Sequence, residues 1–388
     1  MAGPSSAVVG LVTDGGAWKH ALVVLQQLID VRTTLPAVVF NTSALPPAAS
    51  AAISALGSRL ISGGSLVSLE PAMEVPDALA EPLKKSHGKL PAWRKLALWS
   101  QLQYARIVYL DIDVLLLRNI DHMARFTPEP ADVFTPEVCS WPKCVPSAIP
   151  AGINVGVMVI APSAWKFRAL QEYATLRASQ LAAAADSPDA YGWLSRQIVG
   201  SAEQSFLREF YVDVMNVSIV EPVSQRRGWD WDVQTYVEKS ACARRQADRL
   251  KGSARHNRST YGNSESCEPG TLHVMSRRYN ARPLDCARCP ADMDNVIVHY
   301  ACTTKPWESS RHAWRTLSWC RGPKGNTSSP FCDPCLSRYA EHWFDAEDRM
   351  CAALKNAADQ RADERPALEQ ALKARCLRLN GTSHGWLG

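Results

Sequence analysis

Through the first half of the chain, short runs rich in Val, Ile and Leu alternate with segments whose apolar residues recur every three to four positions. The short runs predict buried strands, and the longer period predicts amphipathic helices. "AVVGLV" (7–12) is the first expected strand, "WKHALVVLQQLID" (18–30) the helix after it, "PAVVF" (36–40) a second strand and "LVSLE" (66–70) a third. "AWRKLALWSQLQ" (92–103) predicts a helix that leads directly into a strand ending at Asp111. "DVFT" (132–135) and "NVGVMVIAPS" (154–163) predict further strands, and a long helix follows that Ser163 is placed to cap. Another helix is expected to start near Ala202. From about Val217 to Gly270 the periodicity is lost, which predicts an insertion, and strand character resumes in "TLHVMSRRYN" and "NVIVHY". Residues 344–379 read as helical and rich in Ala, Glu and Arg. Alternation of this kind predicts an α/β fold, a mostly parallel sheet flanked by helices, with an irregular insertion and a helical carboxyl-terminal extension.

One apolar run is interrupted. "VYLDIDVLLL" (108–117) sets Asp111 and Asp113 two positions apart. In an extended chain residues i and i+2 share a face, so the two carboxylates would converge. Like charges held together in a poorly hydrated place repel unless one takes up a proton or a cation lies between them. Oxygen ligands of this kind suit hard divalent ions such as Mg2+ or Mn2+. The spacing alone is common: Asp230/Asp232 and Asp292/Asp294 repeat it among turn and charged residues, where solvated acids need no explanation. Only the first pair lies between buried-looking segments.

Composition narrows the classes of function. With 388 residues and 46% hydrophobic content the chain can bury a large core, and its net charge of +5, with acids and bases interspersed, implies no nucleic-acid partner. Nine Arg or Lys residues between Arg226 and Arg258, interleaved with Trp229, Trp231 and Tyr236, form either a solvated insertion or a binding surface. No run approaches the roughly 18 apolar residues of a membrane span, and "MAGPSSAVVGLV" lacks the regions of a signal peptide. Taken alone, those two observations predict a cytoplasmic protein. Twelve cysteines, several in irregular segments (Cys139/Cys144, Cys286/Cys289, Cys332/Cys335), and five N-x-S/T sequons (Asn41, Asn216, Asn257, Asn326, Asn380) point instead to an oxidising compartment. The expectation is a Golgi or secretory-pathway lumenal region whose amino-terminal anchor lies outside this chain. The two C-x-x-C pairs could hold zinc instead of forming disulfides.

Thr13, Asp14, Asp111, Asp113 and His299 fall at or near the carboxyl ends of expected strands, where open α/β sheets bind ligands, and Asn154 opens the expected strand 154–163. In this setting the sequence resembles glycosyltransferase family 8, the glycogenin-like group with a GT-A fold, over about 7–215 and 271–310. "LVTDGGAWKHALVV" resembles that family's opening strand and nucleotide-binding turn, and "RKLALWSQLQYARIVYLDIDVLLLRNID" its Lys-containing helix and D-x-D strand. "INVGVMVIAPS" is similar to its N-x-G segment, "AEQSFL" to its D-Q helix start, and "VHYACTTKPW" to its H-x-x-G-x-x-K-P-W motif.

The resemblance implies a GT-A catalytic domain over 1–310 and a Cys-containing, then helical, extension over 311–388. It implies that Asp111, Asp113 and His299 bind Mn2+, or Mg2+ in its place, which grips the diphosphate of a UDP-sugar. Lys305 would pair with that diphosphate and Lys95 would sit beside the donor. Thr13, Asp14 and Ile112 would contact the nucleotide, and Asn154, Glu203 and Gln204 would face the donor sugar. The implied reaction moves a hexose or glucuronic acid with retention to a glycan, lipid or small-molecule acceptor. Three positions depart from the family pattern: Glu203 stands where Asp is usual, Val155 where a small polar residue is frequent, and Cys302 in place of the motif's Gly. No tyrosine lies between Asn280 and His299, where glycogenin carries its own acceptor, so a non-self acceptor is implied. The alternative is a non-catalytic subunit that binds a nucleotide sugar or glycan.

Overall fold

The computed structural model describes residues 7–70, 72–85, 90–125, 132–136, 153–199, 203–214, 233–237, 271–275, 279–280, 295–300, 305–308, 311 and 334–376. The chain divides into two compact units that interleave in sequence. The first comprises residues 7–69, 108–125 and 277–388, and the second residues 70–107 and 126–276 together with 1–6.

In the first unit, β1 (Val8–Thr13), β2 (Ala37–Asn41) and β3 (Gly64–Ser68) run parallel, with Val9 opposite Ala37 and Ala37 opposite Gly64. The strand order is β3-β2-β1-β4, with β4 at Ile107–Leu110. Val8, Val9, Leu11 and Val38–Phe40 are buried, as near-continuous apolar strands must be when helices cover the sheet. Helix α1 (Trp18–Asp30) presents apolar residues almost all round and is correspondingly buried. Helix α2 (Pro47–Gly57) begins on a proline, whose fixed φ suits a first turn. It ends against the start of β3, where a Cβ at Gly64 would lie 2.7 Å from the Gly57 Cα, so only glycine permits that approach. A second, two-stranded ladder pairs β5 (Val114–Leu116) with β10 (Ile297–His299) in antiparallel register.

In the second unit the strand order is β7-β6-β9-β8, with β6 at Val133–Pro136, β7 at Ile153–Ile160, β8 at Val233–Val237 and β9 at Thr271–Met275. β6 is antiparallel to β7 and parallel to β9, and its register with β7 shifts between Phe134 and Thr135. Around these strands lie α3 (Asp77–Lys85), α4 (Leu90–Trp93), α5 (Ala164–Ala183), α6 (Pro188–Val199) and α7 (Glu203–Asp213). Ser163 caps α5 as expected, its Oγ accepting from the Lys166 amide. An aromatic core of Trp93, Tyr173, Phe206 and Phe210 joins α4, α5 and α7, with the Trp93 and Phe206 rings 4.5 Å apart.

The carboxyl-terminal helices α8 (Pro334–Gln360) and α9 (Arg365–Arg375) belong to the first unit, packing on α1 and α2. They are joined by the Cys351–Cys376 disulfide, and Arg349 binds Asp30 of α1 at 2.9 Å. The mostly parallel α/β class with flanking helices and a helical carboxyl-terminal part is therefore what the structure shows. Three details differ from expectation. Residues 94–100 form a 3-10 helix rather than α-helix; the run from Lys95 to Trp99 is buried on every side, so no single apolar stripe selects the α period. β8 is a strand within the expected insertion, paired antiparallel to β9. Helices α2, α3 and α6 were not expected. No helix among the described residues is long and apolar enough to cross a membrane.

Candidate functional site

Asp111 and Asp113 do not lie on one face of a continuous strand, as the spacing suggested. They occupy the turn between β4 and β5, and their side chains are 27% and 17% exposed. Two carboxylates inside a fully buried strand would lack solvation, whereas a turn lets both face the same half-open space. The β5–β10 ladder brings His299 there by placing it opposite Val114, and the Tyr300 amide donates to the Asp113 carbonyl at 3.0 Å. His299 Nε2 then stands 3.1 Å from Asp113 Oδ1 and 3.8 Å from Asp111 Oδ2. Its Nδ1 lies 2.9 Å from Asn280 Oδ1. With a cation among these groups and the proton on Nδ1, Asn280 would accept that proton and Nε2 would offer its lone pair to the ion, the arrangement a metal-ligating imidazole needs.

One donor atom from each of Asp111, Asp113 and His299 lies within 4.8 Å of the others. Two carboxylate oxygens and an imidazole nitrogen at this separation fit a divalent cation. Lys305 reaches the same place, its Nζ 2.5 Å from Asp113 Oδ2 and also donating to the Tyr300 carbonyl. Burial pushes the Asp113 carboxyl upward, but the charges of His299 and Lys305 and their hydrogen bonds outweigh it and hold the group well below the usual carboxylate range. The Tyr109 hydroxyl donates to Asp111.

Thr13 is buried at the end of β1, and Asp14 begins the turn into α1. Asp14 Oδ1 accepts from the amides of Gly16 and Ala17 at 2.8 and 2.9 Å, so this carboxylate organises the turn locally. Ile112 lies in the turn between the two metal-type aspartates. His20 of α1 stacks on Trp307 at 4.0 Å, which ties the segment carrying Lys305 to α1. Burial, then the nearby charges of Arg375 and Lys19, push the His20 imidazole down to about 3, so it is neutral.

The remaining expected residues come together within the second unit. Lys95, on the 3-10 helix, and Glu203, the first residue of α7, make an ion pair at 2.5 Å with both side chains 6% exposed. Asn154 on β7 donates to Gln204 Oε1 at 3.2 Å, while its own Oδ1 accepts from the Gly156 amide at 2.9 Å. Glu203 at a helix amino terminus also meets the positive end of the helix dipole.

Sequence reasoning missed the supporting residues Asn280, Tyr109, His20 and Trp307. Lone polar or aromatic side chains of this kind carry no spacing signal; only "KPW" hinted at Trp307. Asp230/Asp232, Asp292/Asp294, Trp229, Trp231, Cys302, Cys139/Cys144, Cys286/Cys289, Cys332 and every sequon except Asn41 lie outside the described residues, whereas Cys335, expected in an irregular segment, lies in the first turn of α8.

No protein-family model matches the chain. No curated protein matches it in sequence either. Among solved structures it is similar to the galactosyltransferase LgtC in complex with donor and acceptor sugar analogues, with 12% identity over 88% of this chain and 96% of that one, at a TM-score of 0.40. A second is the apo-form glycosyltransferase GlyE of Streptococcus pneumoniae TIGR4, with 11% identity over 88% of this chain but 64% of that one, at a TM-score of 0.42. A third is apo mouse xyloside xylosyltransferase 1, with 13% identity over 77% and 98% of the two chains, at a TM-score of 0.41. All three of these structural neighbours are glycosyltransferases.

Proposed function

We propose that the chain is a metal-dependent, retaining glycosyltransferase of the glycogenin-like, GT-A type, moving a hexose or glucuronic acid from a UDP-sugar to a glycan, lipid or small-molecule acceptor. The observation that carries this reading is the convergence of Asp111, Asp113 and His299 Nε2, with Lys305 against the same carboxylate. A mixed oxygen and nitrogen donor set favours Mn2+ over Mg2+, which prefers oxygen alone. Held there, the cation would supply charge neutralisation for a departing diphosphate. Lys305 adds a second positive charge on the same group. Thr13, Asp14 and Ile112 meet the nucleotide, and Asn154, Glu203 and Gln204 orient the sugar, with Lys95 fixing the Glu203 carboxylate. The acceptor hydroxyl attacks the anomeric carbon on the face the diphosphate leaves. As the new carbon–oxygen bond forms, the bond to the phosphate oxygen breaks, its electron pair stays with the diphosphate, and the hydroxyl proton passes to that leaving group. No protein nucleophile is needed. The Cys351–Cys376 disulfide, added to the sequons, supports a secretory-pathway lumen as the place of action.

UDP release from a panel of UDP-sugars, with Mn2+ and with chelator, tests the reading on wild type and Asp113→Ala. Release from one sugar that requires both the metal and Asp113 is the expected result. Metal-dependent UDP binding with no release from any sugar selects a second reading, a non-catalytic subunit. That reading is favoured by one observation: Glu203 is already committed to Lys95 in a buried pair.

A further inference from the structure

Asp132 immediately precedes β6 and its side chain is wholly buried. It accepts four hydrogen bonds. Oδ1 takes the Ala161 amide at 2.7 Å, and Oδ2 takes Trp99 Nε1 at 3.0 Å, Lys166 Nζ at 2.8 Å and the Tyr211 hydroxyl. Desolvating a carboxylate is costly, and four donors with one ammonium offset that cost. Burial, then the charge of Asp132, pushes the Tyr211 hydroxyl upward, which keeps it a donor.

The donors come from the elements that carry the second unit's polar cluster. Trp99 shares its 3-10 helix with Lys95, four residues away. Tyr211 lies on α7 seven residues after Gln204, two turns on and on the same face. Ala161 directly follows β7, the strand of Asn154. Three residues after Asp132, Thr135 Oγ1 donates to the Asn154 carbonyl at 3.1 Å and the Val157 carbonyl at 3.3 Å, on the far side of the register shift in β6. One short segment therefore fixes both ends of β7, the rotation of α7 and the placement of the 3-10 helix.

We infer that Asp132 is a positioning residue that sets the geometry of Lys95, Asn154, Glu203 and Gln204. The inference deepens the sugar-transfer reading and rests on it. An apolar filler would serve stability about as well, because a buried ion pair is weak support for stability. What the polar node adds is a single register for three elements, since each donor reaches the carboxylate in only one arrangement.

The test uses Asp132→Asn, the double variant Asp132→Asn/Lys166→Met, in which no lysine is left unpaired, and Tyr211→Phe, which removes one donor and keeps its ring. Circular dichroism and Mn2+ calorimetry report on the fold and on the other unit's cluster, hydrogen exchange on residues 94–100 and 203–213, and steady-state kinetics on turnover. For the Asp132 variants the expected result is native dichroism, unchanged Mn2+ binding and an exchange rate in both segments raised about tenfold or more. Turnover should fall about 100-fold with KM little changed, as misplacement by an ångström can do. Tyr211→Phe should speed exchange in 203–213 alone and lower kcat by about tenfold, one hydrogen bond's worth. Unchanged exchange and kcat in folded variants would overturn the inference, as would loss of Mn2+ binding in parallel with melting. Should wild type release UDP from no sugar, the sugar-transfer reading fails, and the exchange data alone decide whether Asp132 holds the two segments.

Discussion

The two polar clusters carry their charge differently. In the first unit Asp113 meets Lys305 and His299, the histidine's Nδ1 is turned to Asn280 and its Nε2 also faces Asp111, and both carboxylates keep some exposure. In the second unit each carboxylate has its own lysine: Glu203 has Lys95 at 2.5 Å and Asp132 has Lys166 at 2.8 Å, all four side chains buried. The first arrangement sets two part-exposed carboxylates and an imidazole within reach of one cation, and the second buries each carboxylate against a lysine of the chain. Acidic residues thus stand within reach of a divalent cation in one unit and as buried structural anions in the other, and their burial against a lysine marks the second kind.

Breaking the acidic pair gives the largest expected effect. Asp111→Asn with Asp113→Asn should abolish Mn2+ binding by calorimetry and reduce UDP release by about 100- to 1,000-fold. Glu203→Gln should leave Mn2+ binding intact. Equal loss in both would erase the distinction between the clusters.

The second unit should answer in stability. Lys95→Met strands the Glu203 carboxylate in a buried place and should cost about 3–5 kcal/mol in urea melts, most of it recovered in Lys95→Met/Glu203→Leu. No recovery in the double variant would mean that the lysine stem, not its charge, is what the core needs.

Asn280 sharpens the comparison from the other side. Its oxygen faces His299 Nδ1 at 2.9 Å and orients the imidazole. Asn280→Ala should weaken Mn2+ binding by about 10- to 100-fold while the melting curve stays near wild type. A collapse of the fold with binding would identify Asn280 as a core residue.

How much of this was legible follows from what makes each feature local. β1, α1 and β2 were expected to within a residue, because unbroken apolar runs and one helical period leave little choice. Asp111 and Asp113 stood out as charges in an apolar stretch, although the turn that holds them did not. His299 and Asp113 meet only through the β5–β10 ladder, a pairing between distant segments that no local pattern encodes. Asn280 and Asp132 act through hydrogen bonds to distant elements, and a single Asn or Asp at the edge of a loop looks like any solvated turn residue. The 3-10 helix carrying Lys95 was visible as helix but not as the tighter form, since burial on all sides hides its period. The resemblance to a family, rather than the periodicity, was what set Lys95 and Glu203 each at the donor, and their ion pair was not expected.

The smallest expected effect concerns the scaffold beside the metal-type cluster. Asp121, half-buried after β5, accepts from the Thr34 amide at 2.8 Å, the Thr34 hydroxyl at 2.7 Å, the Thr33 hydroxyl and Asn119 Nδ2 at 3.3 Å. These bonds tie the exit of β5 to the segment between α1 and β2. Burial pushes the Asp121 carboxyl up, but the hydrogen bonds from Thr33, Thr34 and Asn119 outweigh it and hold the group below its ordinary value. A carboxylate depressed in the folded state contributes stability that is fully present above its unfolded value, about 3.9, and lost as pH falls through the folded one. Solvent screens a group this open, so the contribution is small. Asp121→Asn should therefore melt slightly below wild type at neutral pH, and the gap should close as Asp121 protonates in acid, with Mn2+ binding unchanged throughout. A gap that stays constant from neutral to acid would show that Asp121 acts by shape rather than by charge. Asp121 would then stand apart from Asp111 and Asp113 as an acid that merely fits its loop.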